Sequence, residues 1–198
     1  IWVNKRFILS SKNCTLYSSS HSKLLSQALL SLIEHHSFNS ISVKEICEEA
    51  MVHRATFYTH FNDKYDLLAY LLKEIAEEFH FTDSNLEEVH LKLFNVAIKY
   101  KRLFSQLFLE ERDSLRYVIR NEMTTGMKQE MLRDDRNPSI STSSEIGIAA
   151  FAGATLGVLN WWIENGMTLS GEDVYNEIKQ VLNWEYIEKI HDEAIGKE

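Results

Sequence analysis

The residues best suited to recognising another molecule lie close together, between positions 42 and 64. All of them can donate hydrogen bonds, and they are Ser42, His53, Arg54, Thr56, Tyr58, Thr59, His60 and Lys64. An arginine can donate two hydrogen bonds to a guanine edge, and a threonine can offer a hydroxyl to a base or a methyl group to thymine. Tyrosine, histidine and lysine can donate to phosphate oxygens, which fixes position without reading sequence. This chemistry favours contact with DNA.

Two short helices joined by a tight turn are predicted to position these side chains. Ser42 and Glu45 have the spacing of a capping box, which starts a helix, and a second helix is predicted at residues 53–60. A longer helix follows over residues 64–80, and the positive end of its dipole adds to the charge of Lys64. Two short helices at a steep angle form the unit that lays its second helix in a DNA major groove. The predicted inner face consists of Val43, Ile46, Cys47, Ala50, Phe57 and Phe61.

The segment from residue 19 to residue 79 resembles the N-terminal domain of TetR-type transcriptional regulators. The residues that carry the resemblance are Ala50, Val52, Arg54, Ala55, Thr56, Phe57, Tyr58, His60, Phe61, Lys64, Leu67 and Leu68. The resemblance implies a DNA-binding helix-turn-helix, with phosphate-directed roles at the tyrosine, histidine and lysine positions. An ordinary helical hairpin within an all-α core is the alternative interpretation.

Two positions depart from the pattern of the family. The family usually has glycine at position 51, where the turn favours a left-handed backbone, and Met51 would cost about 1 kcal/mol there. It usually has serine or threonine at position 53 as the helix N-cap, and His53 is a weaker cap. We expect a formed motif with a slightly altered specificity.

The composition favours an all-α chain. Of 198 residues, 44% are hydrophobic, and one proline and seven glycines leave few breaks for an all-β fold. Helical spacing of the apolar residues predicts about nine helices. We expect an N-terminal tail over residues 1–18 that is disordered or foreign to the native chain. A three-helix DNA-binding domain would follow over residues 19–79, with its motif at residues 42–61, and a long helix would join it to a helical ligand-binding and dimerisation domain over residues 80–198.

The net charge of −8 is unevenly placed along the chain. Residues 1–70 contain seven Lys or Arg against six Asp or Glu, whereas residues 71–198 contain fourteen against twenty-three. Because DNA phosphates repel the acidic segment of residues 71–198, DNA contact is expected through the N-terminal part alone.

The cysteines and the N-terminus indicate a cytoplasmic protein. Cys14 and Cys47 are too few for a disulfide scaffold, which fits a reducing compartment. The first residues lack the continuous apolar run of a signal peptide.

Aromatic and methionine side chains mark the helices predicted between residues 84 and 133. Such residues usually belong to a plain core, yet together they could line an apolar ligand cavity. The candidate pocket residues are Phe94, Tyr100, Phe104, Phe108, Tyr117, Met123 and Met127.

Residues 146–163 contain no charged side chain over eighteen positions, which is close to the lower limit for a membrane span. Because Glu145 and Glu164 flank the run and Asn160 interrupts it, we favour a buried helix and expect no membrane partner. Its small residues permit close approach by another helix, and a final helix is predicted over residues 171–194. The candidate dimer interface is Gly147, Ala150, Ala154, Gly157, Trp161, Val174, Ile178 and Val181. The resemblance implies a homodimer through these last two long helices, with a small-molecule pocket among the middle helices.

The sequence patterns that mark catalysis and metal binding are absent. The chain has no G-x-S-x-G, glycine-rich phosphate loop, H-E-x-x-H or C-x-x-C sequence. His53 and His60 could share a helix face, but the helix offers no third ligand, so no metal is expected. We expect neither catalytic residues nor a cofactor, and no enzyme activity.

These observations lead to one principal hypothesis and one alternative. The chain is expected to be a TetR-like regulator, a ligand-responsive repressor that binds a palindromic double-stranded operator as a homodimer and responds to an unknown small-molecule effector. The alternative is a small-molecule-binding protein or co-activator that keeps the fold without specific DNA binding.

Overall fold

The computed structural model describes residues 16–78, 86–109, 113–131 and 142–181. Within these ranges the secondary structure consists of nine α-helices without a strand, which confirms the all-α prediction. The helices are α1 (Leu16–His35), α2 (Val43–Glu49), α3 (Arg54–His60), α4 (Lys64–Glu78), α5 (Leu86–Lys99), α6 (Lys101–Leu109), α7 (Asp113–Met131), α8 (Thr142–Glu164) and α9 (Gly171–Val181).

Two helices begin earlier than the sequence pattern predicted. Helix α1 starts at Leu16, before the predicted start of the DNA-binding domain at residue 19, so it takes in the last residues of the predicted tail. Helix α8 starts at Thr142 and not at residue 146. The first turn of α1 contains serine, and that of α8 contains serine and threonine, and each of these residues costs a helix about 0.5 kcal/mol relative to alanine. The remainder of the tail, and the part of the last helix predicted beyond residue 181, lie outside the described residues.

The chain divides into two compact units, with the division between Leu67 and Leu68 inside α4. The domain boundary predicted after residue 79 lies outside the described residues. In the first unit, helices α1, α2 and α3 pack against one another. Its buried apolar side chains include Leu25, Leu29, Ile33, Phe38, Ile46, Phe57 and Phe61.

The start of α2 is the capping box that the sequence predicted. The Ser42 hydroxyl accepts from the Glu45 backbone amide at 3.2 Å, and the Ser42 amide donates to the Glu45 carboxylate at 2.7 Å. Donation to the Glu45 carboxylate by the Ser42 hydroxyl, and then by the Ser42 amide, lowers the pKa of Glu45. Both amide contacts satisfy donors that the helix itself leaves without a partner, so they fix where the helix-turn-helix begins.

The end of α2 turns through a left-handed residue at Met51, whose φ is 54°. The Val52 amide donates to the Cys47 carbonyl at 2.9 Å and the Met51 amide donates to the Glu48 carbonyl at 3.1 Å. These two hydrogen bonds form a Schellman motif, which usually places glycine at this left-handed position. The predicted strain at Met51 is therefore present in the backbone, while its side chain is 92% exposed and contributes no core packing.

The second unit comprises the rest of α4 and helices α5 to α9. Helix α8 packs against α6 and α7, and α9 packs against α5. The close approach of α9 to α5 requires Gly171, because a Cβ there would lie 2.7 Å from the Cβ of Phe94. Phe94 in turn meets Trp162 edge to face, with ring centroids 5.2 Å apart. Aromatic packing thus joins α5, α8 and α9.

Helix α8 is long and apolar enough to cross a membrane, judged on length and composition among the described residues. Only 33% of its apolar stretch is buried inside the chain, so the prediction of a buried helix holds for one face alone, which includes Ile148, Leu159 and Trp162. The Trp162 indole donates to the Leu169 carbonyl at 3.0 Å, which ties the helix to the turn that follows it.

We predict that Met51→Gly stabilises the protein by about 1 kcal/mol relative to Met51→Ala, because glycine adopts a positive φ without the steric cost that any Cβ carries. Alanine is the matched control, since it also removes the exposed side chain but keeps the strained backbone. Urea denaturation of both variants measures the difference. Equal stability of the two variants would show that the position carries no strain.

Candidate nucleic-acid interface

Helix α3 presents a polar outer face because a single aromatic anchor holds its inner face. Phe57 is fully buried and contacts Phe61, with ring centroids 5.7 Å apart. The opposite side of the helix leaves Arg54, Tyr58 and Thr59 exposed. The seven residues of α3 thus divide into the inner and outer faces that the spacing predicted.

Arg54 and Tyr58 lie one helical turn apart and contact each other on this outer face. The Arg54 Nη2 donates to the Tyr58 hydroxyl at 3.4 Å, and the Arg54 Cζ lies 5.9 Å from the centre of the Tyr58 ring. The hydrogen bond to Tyr58 raises the pKa of Arg54 further, so the guanidinium is charged at any physiological pH. The pair presents a planar cation beside a phenol, which suits a guanine edge next to a phosphate.

The two threonines are placed differently from each other. Thr59 is exposed, but its hydroxyl donates to the Thr56 carbonyl at 2.6 Å, and Thr56 itself is half-buried. In this arrangement the Thr59 oxygen can still accept a hydrogen bond, and its methyl group can contact a thymine. Donation from Thr59 to a base requires a change of its rotamer.

His60 lies at the carboxyl end of α3 and is half-buried. Its ring centroid is 6.1 Å from that of His21 on α1. Burial, and then the neighbouring His21, lower the pKa of His60. The neutral imidazole is therefore favoured, and it can donate one N–H to a phosphate oxygen without adding a positive charge.

The helix-start residues Ser42 and His53 have contrasting roles. The Ser42 hydroxyl belongs to the capping box, where it also donates to the Glu45 carboxylate at 2.6 Å. His53 is the N-cap of α3, has an extended backbone and makes no side-chain cap hydrogen bond. The predicted weakness of His53 as a cap therefore agrees with its geometry, and its exposed ring stays available to a ligand.

The Lys64 ammonium, predicted to contact phosphate, lies against main-chain carbonyls of the loop that precedes α2. It donates to the carbonyls of Phe38, Asn39 and Ile41 at 2.7, 3.0 and 2.8 Å, and lies 4.8 Å from the centre of the Phe38 ring. The three N–H groups of an ammonium are thus directed at the protein itself. The sequence pattern offered no signal of this contact, because the acceptors are main-chain carbonyls that any residue carries.

The candidate pocket residues fall into two groups. Phe94, Phe104 and Phe108 are buried, and the last two stack with ring centroids 6.4 Å apart. Tyr100 donates to Glu78 at 2.8 Å, and Glu78 also pairs with Lys99. Burial and the contact with Glu78 raise the pKa of Tyr100, whose hydroxyl is therefore neutral. The remaining three lie on α7, where Tyr117 is exposed and Met123 and Met127 are half-buried.

The candidate dimer residues are also divided by the structure. Ala150, Ala154, Gly157 and Trp161 are exposed on α8, and Gly147 is half-exposed beside them. By contrast, Val174 and Ile178 of α9 are only 3% and 8% exposed. Their apolar spacing reflects packing within the chain, where α9 lies against α5, so a second copy can reach little of either side chain. The side chain of Val181 lies outside the described residues.

Among the residues that the structure describes, no three His, Cys, Asp or Glu side chains lie close enough to hold a metal ion. The outer face of α3 can thus recognise a ligand through its hydrogen-bond donors and through the positive charge of Arg54.

The sequence matches two family profiles that together span most of the chain. The profile of "Bacterial regulatory proteins, tetR family" matches residues 25–71. The profile of "Transcriptional regulator C-terminal region" matches residues 84–183. None of the curated proteins matches the sequence significantly.

Several solved structures share the fold. FadR, the fatty acid degradation regulator from Bacillus halodurans, aligns with a TM-score of 0.57 at 17% identity, over 86% of this chain and 96% of its own. The dihydroxyacetone kinase operon activator DhaS aligns with a TM-score of 0.54 at 18% identity, over 81% of this chain and 93% of its own. NalD is the secondary repressor of the MexAB-OprM multidrug efflux pump in Pseudomonas aeruginosa. It aligns with a TM-score of 0.53 at 17% identity, over 83% of this chain and 94% of its own.

We predict that His53→Ser stabilises the protein by about 1 kcal/mol, because the serine oxygen can accept from an amide in the first turn of α3 that the histidine leaves uncapped. His53→Ala serves as the control and should match the wild type, since neither residue supplies a cap. Thermal and urea unfolding measure both changes. An increase of the same size in His53→Ala would show that the gain comes from removing the ring and not from the cap.

Proposed function

Because this chain belongs to the TetR family of bacterial regulatory proteins, and is a transcriptional regulator with a DNA-binding helix-turn-helix, we propose that it acts as a homodimeric repressor. In this proposal two copies bind a palindromic operator, and a small-molecule effector releases them. The cytoplasm is the proposed compartment. The observation that carries the proposal is the polar outer face of α3, held over the buried Phe57.

The proposed DNA contacts follow from the geometry of α3. Arg54 is the reader of a guanine, with Thr56 and Thr59 contacting neighbouring bases. Tyr58 and His60 donate to phosphate oxygens and set the register. His53 stands at the start of α3, where no side chain caps the first amides and an anion is favoured. Ser42 is left out of the proposed contacts because its hydroxyl and its amide both donate to the Glu45 carboxylate. Sequence selectivity is thereby assigned mainly to Arg54, the single Lys or Arg on this helix.

The proposed dimer interface is the outer face of α8. Its residues Gly147, Ala150, Ala154, Gly157 and Trp161 recur at alternate spacings of three and four, the spacing of a helix that meets another helix along its length. A Cβ added at Gly153 or Gly157 would meet nothing within 4 Å in the chain. A mid-helix glycine costs about 1 kcal/mol relative to alanine, so close approach by a helix from outside the chain supplies a reason for these glycines.

A two-fold axis through this face would also serve recognition. One recognition helix covers only a few base pairs, whereas two helices related by a two-fold axis read both halves of a palindrome. Trp161, which is 51% exposed, would supply the large apolar contact at one end of the interface. Val174 and Ile178 are left out of the proposed interface because the chain itself buries them.

The proposed effector site lies among α5, α6 and α7. The buried rings of Phe104 and Phe108 would form its apolar wall, and Tyr117, Met123 and Met127 would form its adaptable side. Phe94 is left out because it packs against Trp162 of α8 and Gly171 of α9. Tyr100 would supply a polar group at its margin. Effector binding would change operator affinity only to the extent that the effector binds the two states of the protein differently.

We predict that Arg54→Ala weakens binding to a DNA duplex selected by the wild-type protein by about tenfold to a hundredfold, since one bidentate contact to guanine contributes about 1–3 kcal/mol. The loss should be smaller on unselected DNA. Lys73→Ala is the control, because it removes the same charge from an exposed position on α4, where the ammonium pairs with Glu77. Gel-shift titrations measure all three proteins.

The same titrations decide between the two functional hypotheses. Equal affinity of the wild-type protein for selected and random DNA would favour the alternative, a protein that keeps the fold without specific DNA binding. Transcription in vitro from the selected site then gives the sign of regulation, because a repressor lowers the transcript level and an activator raises it.

We predict that Ala154→Glu raises the dimer dissociation constant by tenfold or more, because it places two carboxylates in a close-packed apolar contact near the two-fold axis. Ala149→Glu introduces the same group on the same helix at an exposed position off the proposed interface, and should leave the dimer intact. Sedimentation velocity over a range of concentrations measures both. A wild-type monomer, or equal effects of the two substitutions, would contradict this interface.

A further inference from the structure

The two ends of the helix-turn-helix meet at one ammonium group. Lys64 is the first residue of α4 and lies three residues after the end of the motif at residue 61, whereas Ile41 directly precedes the N-cap of α2. The Lys64 Nζ donates to the Ile41 carbonyl at 2.8 Å and to the carbonyls of Phe38 and Asn39 at 2.7 and 3.0 Å. The chain that forms α2, the turn and α3 is therefore closed into a loop by a set of hydrogen bonds.

Both the loop that supplies the carbonyl acceptors and the helix start that carries Lys64 are held in place by further contacts. Phe38 and Ile41 are 1% and 3% exposed, so the carbonyls that accept belong to a loop anchored in the core. On the other side, the Asp63 carboxylate accepts from the amides of Tyr65 and Asp66 at 2.8 and 2.9 Å and caps the helix that carries Lys64. The Tyr65 ring also meets the Phe38 ring edge to face, at 5.3 Å between centroids.

The electrostatics favour retention of this contact. Three carbonyl dipoles point at one positive charge, and each hydrogen bond to an ionised donor is stronger than a neutral one. The face of the Phe38 ring, 4.8 Å from Nζ, adds a further attraction to the cation. To reach a phosphate, the ammonium would have to give up these carbonyl acceptors in a part-buried site, where their loss is costly.

We propose that Lys64 is a positioning residue for DNA binding, which sets the spacing between the start of α2 and the end of α3 and does not itself contact phosphate. The first helix of such a motif crosses the DNA backbone while the second enters the groove. Both helices contain only seven residues, so neither can hold its own orientation. Closure of their outer ends by Lys64 lets them engage the DNA as one rigid piece.

The salt dependence of DNA binding separates this role from a phosphate contact. Each phosphate contact made by a cationic side chain contributes about 0.9 to the slope of log affinity against log salt concentration. Lys64→Met removes the ammonium and keeps a chain of similar length, and Lys64→Arg keeps the charge but replaces three divergent donors by a planar fork. Lys73→Met is the charge control on the same helix, at a side chain that is 64% exposed.

The experiment measures affinity for a duplex selected by the wild-type protein, at several salt concentrations and below the unfolding temperature of every variant. We expect Lys64→Met and Lys64→Arg to bind roughly tenfold more weakly, with the slope of the wild type, and Lys73→Met to bind as the wild type does. A slope reduced by about one in Lys64→Met, together with full affinity in Lys64→Arg, identifies a phosphate contact and overturns the proposal.

The remaining outcomes are equally decisive. Unchanged affinity in both folded Lys64 variants overturns the proposal. If Lys64→Met does not fold, Lys64→Arg carries the comparison, and failure of both to fold assigns Lys64 to stability alone and also overturns the positioning role. Failure of the wild-type protein to select any duplex contradicts specific operator binding itself, which is a separate result from any difference among the variants.

Discussion

The DNA-binding unit depends on the burial of Phe57. Helices α2 and α3 contain seven residues each, far fewer than an isolated helix needs to be stable in water. Contacts outside each helix must therefore stabilise them, and Phe57 is the one buried residue within α3. Its ring lies against those of Tyr58 and Phe61, so the inner anchor and the outer polar face share the same few residues. The orientation of every proposed DNA contact on α3 follows from this one buried side chain.

The features that could be predicted from sequence are those encoded by local residue types. The capping box at Ser42 and Glu45, the left-handed turn at Met51 and the poor cap at His53 each depend on a residue and its nearest neighbours in the chain. The inner face of the motif could be predicted equally well, because helical spacing alone separates the buried Ile46 and Phe57 from the exposed positions.

The features that could not be predicted depend on partners distant in sequence. Lys64 donates to main-chain carbonyls more than twenty residues away, and no side-chain type in that loop indicates these contacts in the sequence. The spacing of Val174 and Ile178 correctly indicated burial, but it could not say that α5 of the same chain would cover them. The same ambiguity affects Phe94 and Phe104, since a core and a pocket select the same residue types.

The distribution of charge on α3 limits the positive charge that one copy of this chain can bring to DNA through that helix. Helix α3 contains one arginine and no lysine, and its histidine has a lowered pKa that favours the neutral ring. The ammonium of Lys64 is directed at carbonyls of the protein. Neutral hydrogen bonds must therefore supply much of the contact, and these contribute less than charged ones and depend more strictly on geometry. In the proposed complex, rigid closure of the motif would improve the geometry of these contacts, and a second copy of the chain would add a second set of them, including a second Arg54.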